Sequence, residues 1–149
     1  MEHNISDDNL KEAVLKMGGL EPMNPIGQCF ESALHAYYKT RQYELSGQIK
    51  DLALVHGIGI ANMPGQVGKT IAHAWITYFA SDDLETLRAF EPTWGVLTTH
   101  AKILQDLKVK YAKAYDYEQI KYEITKNNNI DIGPWDSKVL AVLGITNEN

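Results

Sequence analysis

Two stretches of two-residue alternation, followed by a turn, most constrain what this chain can fold into. In residues 51–60, large side chains alternate with mostly small ones, and residues 70–79 repeat an alternation of the same period. This period is typical of β-strands, whose successive side chains point to opposite faces. The turn signal at residues 81–83 then predicts that residues 84–90 return as an antiparallel neighbour. We therefore expect an antiparallel sheet in the middle of the chain.

Helices are expected around this sheet, which makes the fold class α+β. A first helix is predicted behind Ser6 or Asp7 as N-cap, ending at Gly18 and Gly19, and a second begins near Cys29 and ends within residues 39–42. No repeat or linker divides the chain, so residues 1–149 are expected to form a single domain. In the last third we predict a strand at 109–115, helices at 116–127 and 137–143, and either strand or helix at 97–107.

Composition limits the classes of partner. The chain has 14 basic and 19 acidic residues, a net charge of −5, so unspecific attraction to nucleic acid or to an anionic membrane is not expected. Its apolar stretches are far shorter than the ~20 residues of a membrane-spanning helix, and its first residues do not resemble a secretory signal. The single cysteine, Cys29, excludes an intramolecular disulfide. These features predict a soluble protein of a reducing compartment such as the cytoplasm.

Cys29, His73 and Glu91 supply, in chain order, the three chemical groups of a thiol catalytic triad. A thiol is an effective nucleophile only as a thiolate, which needs an imidazole to accept its proton and a third group to orient that imidazole. The predicted hairpin brings Glu91 to the end of the strand beside His73. Cys29 lies in the first turn of a helix, where free backbone N–H groups stabilise a thiolate and can also bind an oxyanion. The side-chain amide of Gln28 or Asn24 is a candidate second oxyanion donor.

Each of the three residues also has an ordinary structural interpretation. A lone buried cysteine is usually a small apolar core residue, and a strand histidine often bonds a backbone carbonyl. Glu91 could be a solvated residue at a strand end, and its extra methylene gives it a different reach from aspartate. The role of Glu91 is left open between the two interpretations, whereas for Cys29 and His73 the family resemblance of the segments around them, given next, favours catalysis.

Three segments in this order resemble the transglutaminase-like branch of the papain-type thiol enzymes. They are Gly-x-Cys-x-x-x-Ala at residues 27–33, His-Ala-Trp at 73–75 and Glu-Pro-Thr-Trp at 91–94, where glutamate replaces the usual aspartate. The resemblance covers about residues 24–94 and leaves the last third of the chain unaccounted for. It implies a papain-like or transglutaminase-like core with the nucleophile at a helix N-terminus, and it favours placing Trp75 and Trp94 near the substrate.

The resulting hypothesis is a thiol-dependent hydrolase or acyl transferase that acts on an amide, peptide or isopeptide bond of a protein or small amide through an acyl thioester. Water would resolve that thioester in a protease or amidase, and an amine would resolve it in a crosslinking enzyme; the sequence fits both. The alternative is a catalytically silent binding or interaction module of the same fold, with a tryptophan-lined cleft that holds a partner.

Other motifs are incomplete. Residues 65–70 (GQVGKT) end like a phosphate-binding loop but have two residues between the glycines where four are needed, so a nucleotide-handling protein rests on this fragment alone. The histidines show none of the close spacings typical of metal sites. We therefore expect neither a metal nor a cofactor.

Overall fold

The computed structural model of the protein describes residues 5–16, 29–60, 68–93, 95–127 and 131–142. It is an α+β structure with an open, antiparallel, five-stranded sheet in the order β4-β3-β2-β1-β5. The strands are β1 (Ile49–Ile60), β2 (Thr70–Ala80), β3 (Asp83–Glu91), β4 (Val96–Thr99) and β5 (Tyr111–Tyr115). The helices are α1 (Asp7–Lys16), α2 (Cys29–Leu45), α3 (His100–Asp106), α4 (Tyr117–Lys126) and α5 (Ser137–Val142).

The predicted strand–turn–strand unit is confirmed and forms the centre of the sheet. β2 lies between β1 and β3, with His73 opposite Gly57 on β1 and Ile76 opposite Phe90 on β3. Seven consecutive residues of β2, from Ala72 to Tyr78, are buried. His73 therefore lies on the most enclosed strand of the sheet.

The two faces of the sheet are covered by different helices. Adjacent residues of a strand point to opposite faces, and they join two separate apolar clusters. One cluster combines Leu54, Ala74 and Ile76 of the sheet with residues of α1 and α2. The other consists of Val55, Trp75, Ala89, Ile103 and Leu107, so α3 covers the second face.

The start of α1 is capped as predicted. The Ser6 side chain accepts a hydrogen bond from the backbone N–H of Asn9 at 3.2 Å, which satisfies one of the free donors of the first turn. Leu10 and Val14 are fully buried, so the helix packs on the core through these apolar positions. The predicted helix end at Gly18 and Gly19 lies outside the described residues.

α2 begins at Cys29 as predicted but continues to Leu45, beyond the predicted exit within residues 39–42. The additional turn is held by Glu44, which pairs with Arg41 at 2.6 Å and accepts the backbone N–H of Leu52 on β1 at 2.9 Å. The second contact is tertiary, so local sequence could not indicate it.

The segment that fitted either strand or helix contains both. β4 ends at Thr99, whose side chain accepts the backbone N–H of Lys102 and so caps α3 directly after the strand. β5 begins at Tyr111, two residues later than predicted. Lys108 has a positive φ of 46° and Val109 donates its N–H to Leu104, so a turn that ends α3 occupies these positions. In the described ranges, every helix is too short or too polar to cross a membrane.

Candidate functional site

His73 and Glu91 meet at the ends of neighbouring strands. Nε2 of His73 lies 3.2 Å from Oε1 of Glu91, and the side chain of each is 3% exposed. The β2–β3 register pairs Ile76 with Phe90. If that register is continued, Glu91 falls opposite Trp75, and His73 is its diagonal neighbour on the same face, within reach of long side chains. The predicted hairpin therefore brings the candidate base and its candidate orienter together.

The carboxylate of Glu91 is held by its own chain segment. Oε1 of Glu91 accepts the backbone N–H of Thr93 at 2.9 Å, in addition to its contact with His73. Pro92 has no N–H to donate, so Thr93 supplies the next backbone donor along the chain. The Glu-Pro-Thr segment thus fixes the direction of the carboxylate. In this direction the longer side chain of glutamate places Oε1 beside the imidazole of His73.

Cys29 is the first residue of α2 and lies beside the same imidazole. Its side chain is buried, and Sγ lies 3.9 Å from the backbone oxygen of Ala72, the residue that precedes His73. The thiol also interacts with the imidazole of His73 and contributes to its raised pKa. The structure therefore places Cys29, His73 and Glu91 in one cluster, with the thiol and the carboxylate both acting on the imidazole.

The protonation of His73 reflects these two neighbours. Burial by itself lowers the pKa of a histidine, because it disfavours the charged form. In His73 the interactions with Cys29 and Glu91 outweigh burial and raise the pKa to about 9. The Glu91 contact is an ion pair in a nearly dry site, where attraction between charges is stronger than in water. The cluster therefore favours an imidazolium.

The remaining predicted site residues divide into two groups. Gln28, Asn24 and Trp94 lie outside the described residues. Trp75 is described and is fully buried, so it offers no exposed wall to a substrate in this conformation. Instead its ring lies 6.3 Å from that of His73, between ring centroids, and its indole N–H donates to Nδ1 of His100 at 3.2 Å.

The contacts of two histidines outside the triad could not be predicted from the sequence. His100 is the partner of Trp75, and no short-range signal links residues 25 positions apart. His56 is fully buried among the rings of Phe30, Tyr115 and Trp135, whose centroids lie 4.9 to 5.1 Å away. Alternation along β1 predicts that His56 shares a face with leucines, but it does not reveal the aromatic enclosure.

Nothing in the described part of the chain groups three or more histidine, cysteine, aspartate or glutamate side chains so that they could hold a metal ion. The groups that the structure brings together at this site are a thiol, an imidazole and a carboxylate. Comparison of the chain with protein-family models, curated proteins and solved structures found no match.

Proposed function

We propose that this protein is a thiol-dependent hydrolase or acyl transferase, built on a papain-like or transglutaminase-like core, that acts on an amide, peptide or isopeptide bond. Cys29 is the nucleophile, His73 the general base and acid, and Glu91 the group that orients His73. The observation that carries the proposal is the 3.2 Å contact between His73 Nε2 and Glu91 Oε1 in a cluster that also contains the only cysteine.

The orientation of the imidazole supports this assignment. A structural histidine in a strand commonly bonds a backbone carbonyl, whereas His73 faces a carboxylate through Nε2 and interacts with a thiol. Because Nε2 lies 3.2 Å from Oε1 of Glu91, the proposal assigns the proton exchange with Cys29 to the other ring nitrogen, Nδ1. This division of the two nitrogens is what a nucleophile–base–orienter triad requires.

The first half of the reaction forms the acyl enzyme. Cys29 transfers its proton to His73, and its sulfur forms a bond to the carbonyl carbon while the carbonyl electron pair moves to oxygen. When that pair returns, the C–N bond breaks and the amine leaves with the proton held by His73. The acyl group remains on Cys29 as a thioester, and the imidazole is neutral again.

The second half regenerates the thiol. Water, or an amine in a transferase, gives a proton to His73 and attacks the thioester carbon, after which the C–S bond breaks and the sulfur recovers the proton. Charge on the carbonyl oxygen develops in both halves. The backbone N–H groups of the first turn of α2, which begins at Cys29, are suited to stabilise that charge.

The burial of the cluster favours a second candidate, a catalytically silent binding module of the same fold. Cys29 is 1% exposed and His73 and Glu91 are each 2% exposed, so the thiol is shielded in this conformation. An enzyme must open this site to admit a carbonyl group, whereas a binding module need not. The two candidates therefore differ in whether Cys29 can be acylated in the folded protein.

Acylation by p-nitrophenyl acetate tests the proposal. We expect intact-mass spectrometry to detect an acetyl group on Cys29, absent in Cys29→Ala and much slower to form in His73→Gln. Addition of glycinamide then separates the two reaction types, since a transferase passes the acetyl group to the amine faster than to water. Acetylation that is equally fast without His73, or that occurs only after unfolding, would leave the binding module as the better account.

A further inference from the structure

We infer that His100 is a positioning residue of the thiol site, because it holds the indole of Trp75 against His73. The inference rests on the proposed function, in which the orientation of His73 matters. His100 lies in none of the segments that suggested the triad, and it acts through Trp75 rather than on a substrate.

The three rings form a continuous row. The centroids of His73 and Trp75 are 6.3 Å apart with an interplanar angle of 34°, and those of Trp75 and His100 are 6.0 Å apart with an angle of 39°. The indole N–H of Trp75 donates to Nδ1 of His100 at 3.2 Å. A change in His100 is therefore transmitted to the side chain that packs beside the catalytic imidazole.

The indole is also fixed at its other end. A Cβ atom on Gly57 would lie 2.8 Å from Cη2 of Trp75, closer than real Cβ contacts, so the ring rests directly on the glycine backbone. Gly57 is the residue paired with His73 across the β1–β2 ladder. Trp75 is thus confined between the strand beside His73 and the hydrogen bond that it donates to His100, with no exposed surface.

The same strands that position Glu91 also deliver His100. β4 pairs with β3 so that Val96 lies opposite Glu91, and α3 begins with His100 directly after Thr99 at the end of β4. The capping hydrogen bond from Lys102 to Thr99 fixes this start at 3.2 Å. Glu91 therefore orients His73 through a direct contact, while His100, one short strand later, supports it through Trp75.

The hydrogen bond requires one protonation state of His100. Nδ1 accepts the indole N–H only when its own proton is absent, so the imidazole is neutral with the proton on Nε2. Burial lowers the pKa of His100 and favours this state. The charged and titratable groups of the surrounding elements are His73 and Tyr78 on β2, Asp83, Glu85, Arg88 and Glu91 on β3, and Lys102 and Asp106 on α3; Val96–Thr99 contains none.

Most of those groups are engaged elsewhere. Arg88 pairs with Asp7 at 2.9 Å and with Asp83 at 3.4 Å, and Lys102 pairs with Asp106 at 3.1 Å. Glu91 is directed at His73. The hydrogen bond between His100 and Trp75 is therefore expected to depend on the protonation of His100 itself. If Nδ1 were protonated, its N–H would face the indole N–H of Trp75, and the hydrogen bond would be lost.

The test compares His100→Asn with His100→Leu. Asparagine can place its Oδ1 close to the position of histidine Nδ1 and keeps an acceptor for Trp75 at every pH, whereas leucine removes the acceptor. We expect iodoacetamide labelling of Cys29 at pH 6 to stay near the wild-type rate in His100→Asn and to fall roughly tenfold in His100→Leu, as a small misplacement of the base would cause. The signal of the His73 ring in NMR spectra should shift in His100→Leu alone.

The two readouts keep the inference separate from the proposed function. If the wild-type protein shows no His73-dependent labelling, the proposed function fails, and the His73 ring signal still decides whether His100 positions that ring. Circular dichroism verifies folding. If His100→Leu does not fold, Trp75→Phe removes the same hydrogen bond from the other side and should give the same loss of labelling and the same shift. Wild-type labelling and an unshifted His73 signal in a folded variant would overturn the inference.

Discussion

Thr93 donates its backbone N–H to the same oxygen of Glu91 that faces His73, at 2.9 Å, while that oxygen lies 3.2 Å from His73 Nε2. A single carboxylate oxygen is thus held by the chain and presented to the imidazole. The proposed triad requires such a fixed carboxylate beside its imidazole.

Replacement of Glu91 separates its charge from its shape. In Glu91→Gln the amide oxygen can still accept the Thr93 N–H, but the negative charge that raises the pKa of His73 is lost. We expect Cys29 labelling at pH 6 to fall by roughly tenfold or more, since loss of one pKa unit of imidazolium stabilisation is worth about tenfold in the equilibrium. Glu91→Asp keeps the charge with a shorter reach and should be intermediate; a Glu91→Gln rate equal to wild type would show that the charge is not used.

The raised pKa of His73 predicts a loss of stability at alkaline pH. The imidazole binds its proton more tightly in the folded protein, with a pKa of about 9, than in an unfolded chain, where it is ~6.5. This stabilisation is complete below pH ~6.5 and is lost as the pH rises through about 9. Urea unfolding at pH 6, 7.5 and 9 measures this loss. Between pH 6 and 9 the free energy of unfolding should fall more for wild type than for His73→Gln, by up to about 3 kcal/mol. Equal declines would contradict the assignment.

The lowered pKa of His56 predicts a loss of stability at acidic pH. It is fully buried among aromatic rings, and burial lowers its pKa to about 3. The unfolded chain therefore binds a proton below pH ~6.5 while the folded protein does not, so stability falls as the pH drops from ~6.5 towards 3. Between pH 6.5 and 4.5, above the range in which most carboxylates titrate, we expect the free energy of unfolding of His56→Leu to fall by about 2 kcal/mol less than that of wild type. The control His35→Gln, at an exposed position of α2, should follow wild type.

Asp7 attaches the start of α1 to the sheet. Its carboxylate accepts the hydroxyl of Tyr78 at 3.0 Å and the guanidinium of Arg88 at 2.9 Å, so it joins the helix start to β2 and β3. Asp7→Ala should lower the free energy of unfolding by about 1.5–3 kcal/mol, the usual range for hydrogen bonds to charged groups. The neighbouring Asp8 is exposed, so Asp8→Ala is the matched control and should change stability little. Equal effects of the two changes would show that the contacts of Asp7 contribute nothing measurable.

Sequence patterns predicted the parts of the fold that depend on local order. Alternation identified β1 and β2, and the turn at residues 81–83 identified the hairpin that brings His73 to Glu91. The extra turn of α2 was missed because Glu44 is held by a contact from β1. The link between Trp75 and His100 was missed because it depends on how a four-residue strand and a seven-residue helix follow each other, which propensity alone does not resolve.

The proposed mechanism depends on a thiolate at Cys29, which the pH dependence of Cys29 alkylation by iodoacetamide tests, followed by intact-mass spectrometry in wild type and His73→Gln. An ordinary thiol has a pKa of ~8.5 and reacts slowly below pH 7. We expect folded wild type to continue to label in that range and His73→Gln to lose this advantage. Labelling of Cys29 only after unfolding, or an identical pH profile in His73→Gln, would contradict the catalytic account.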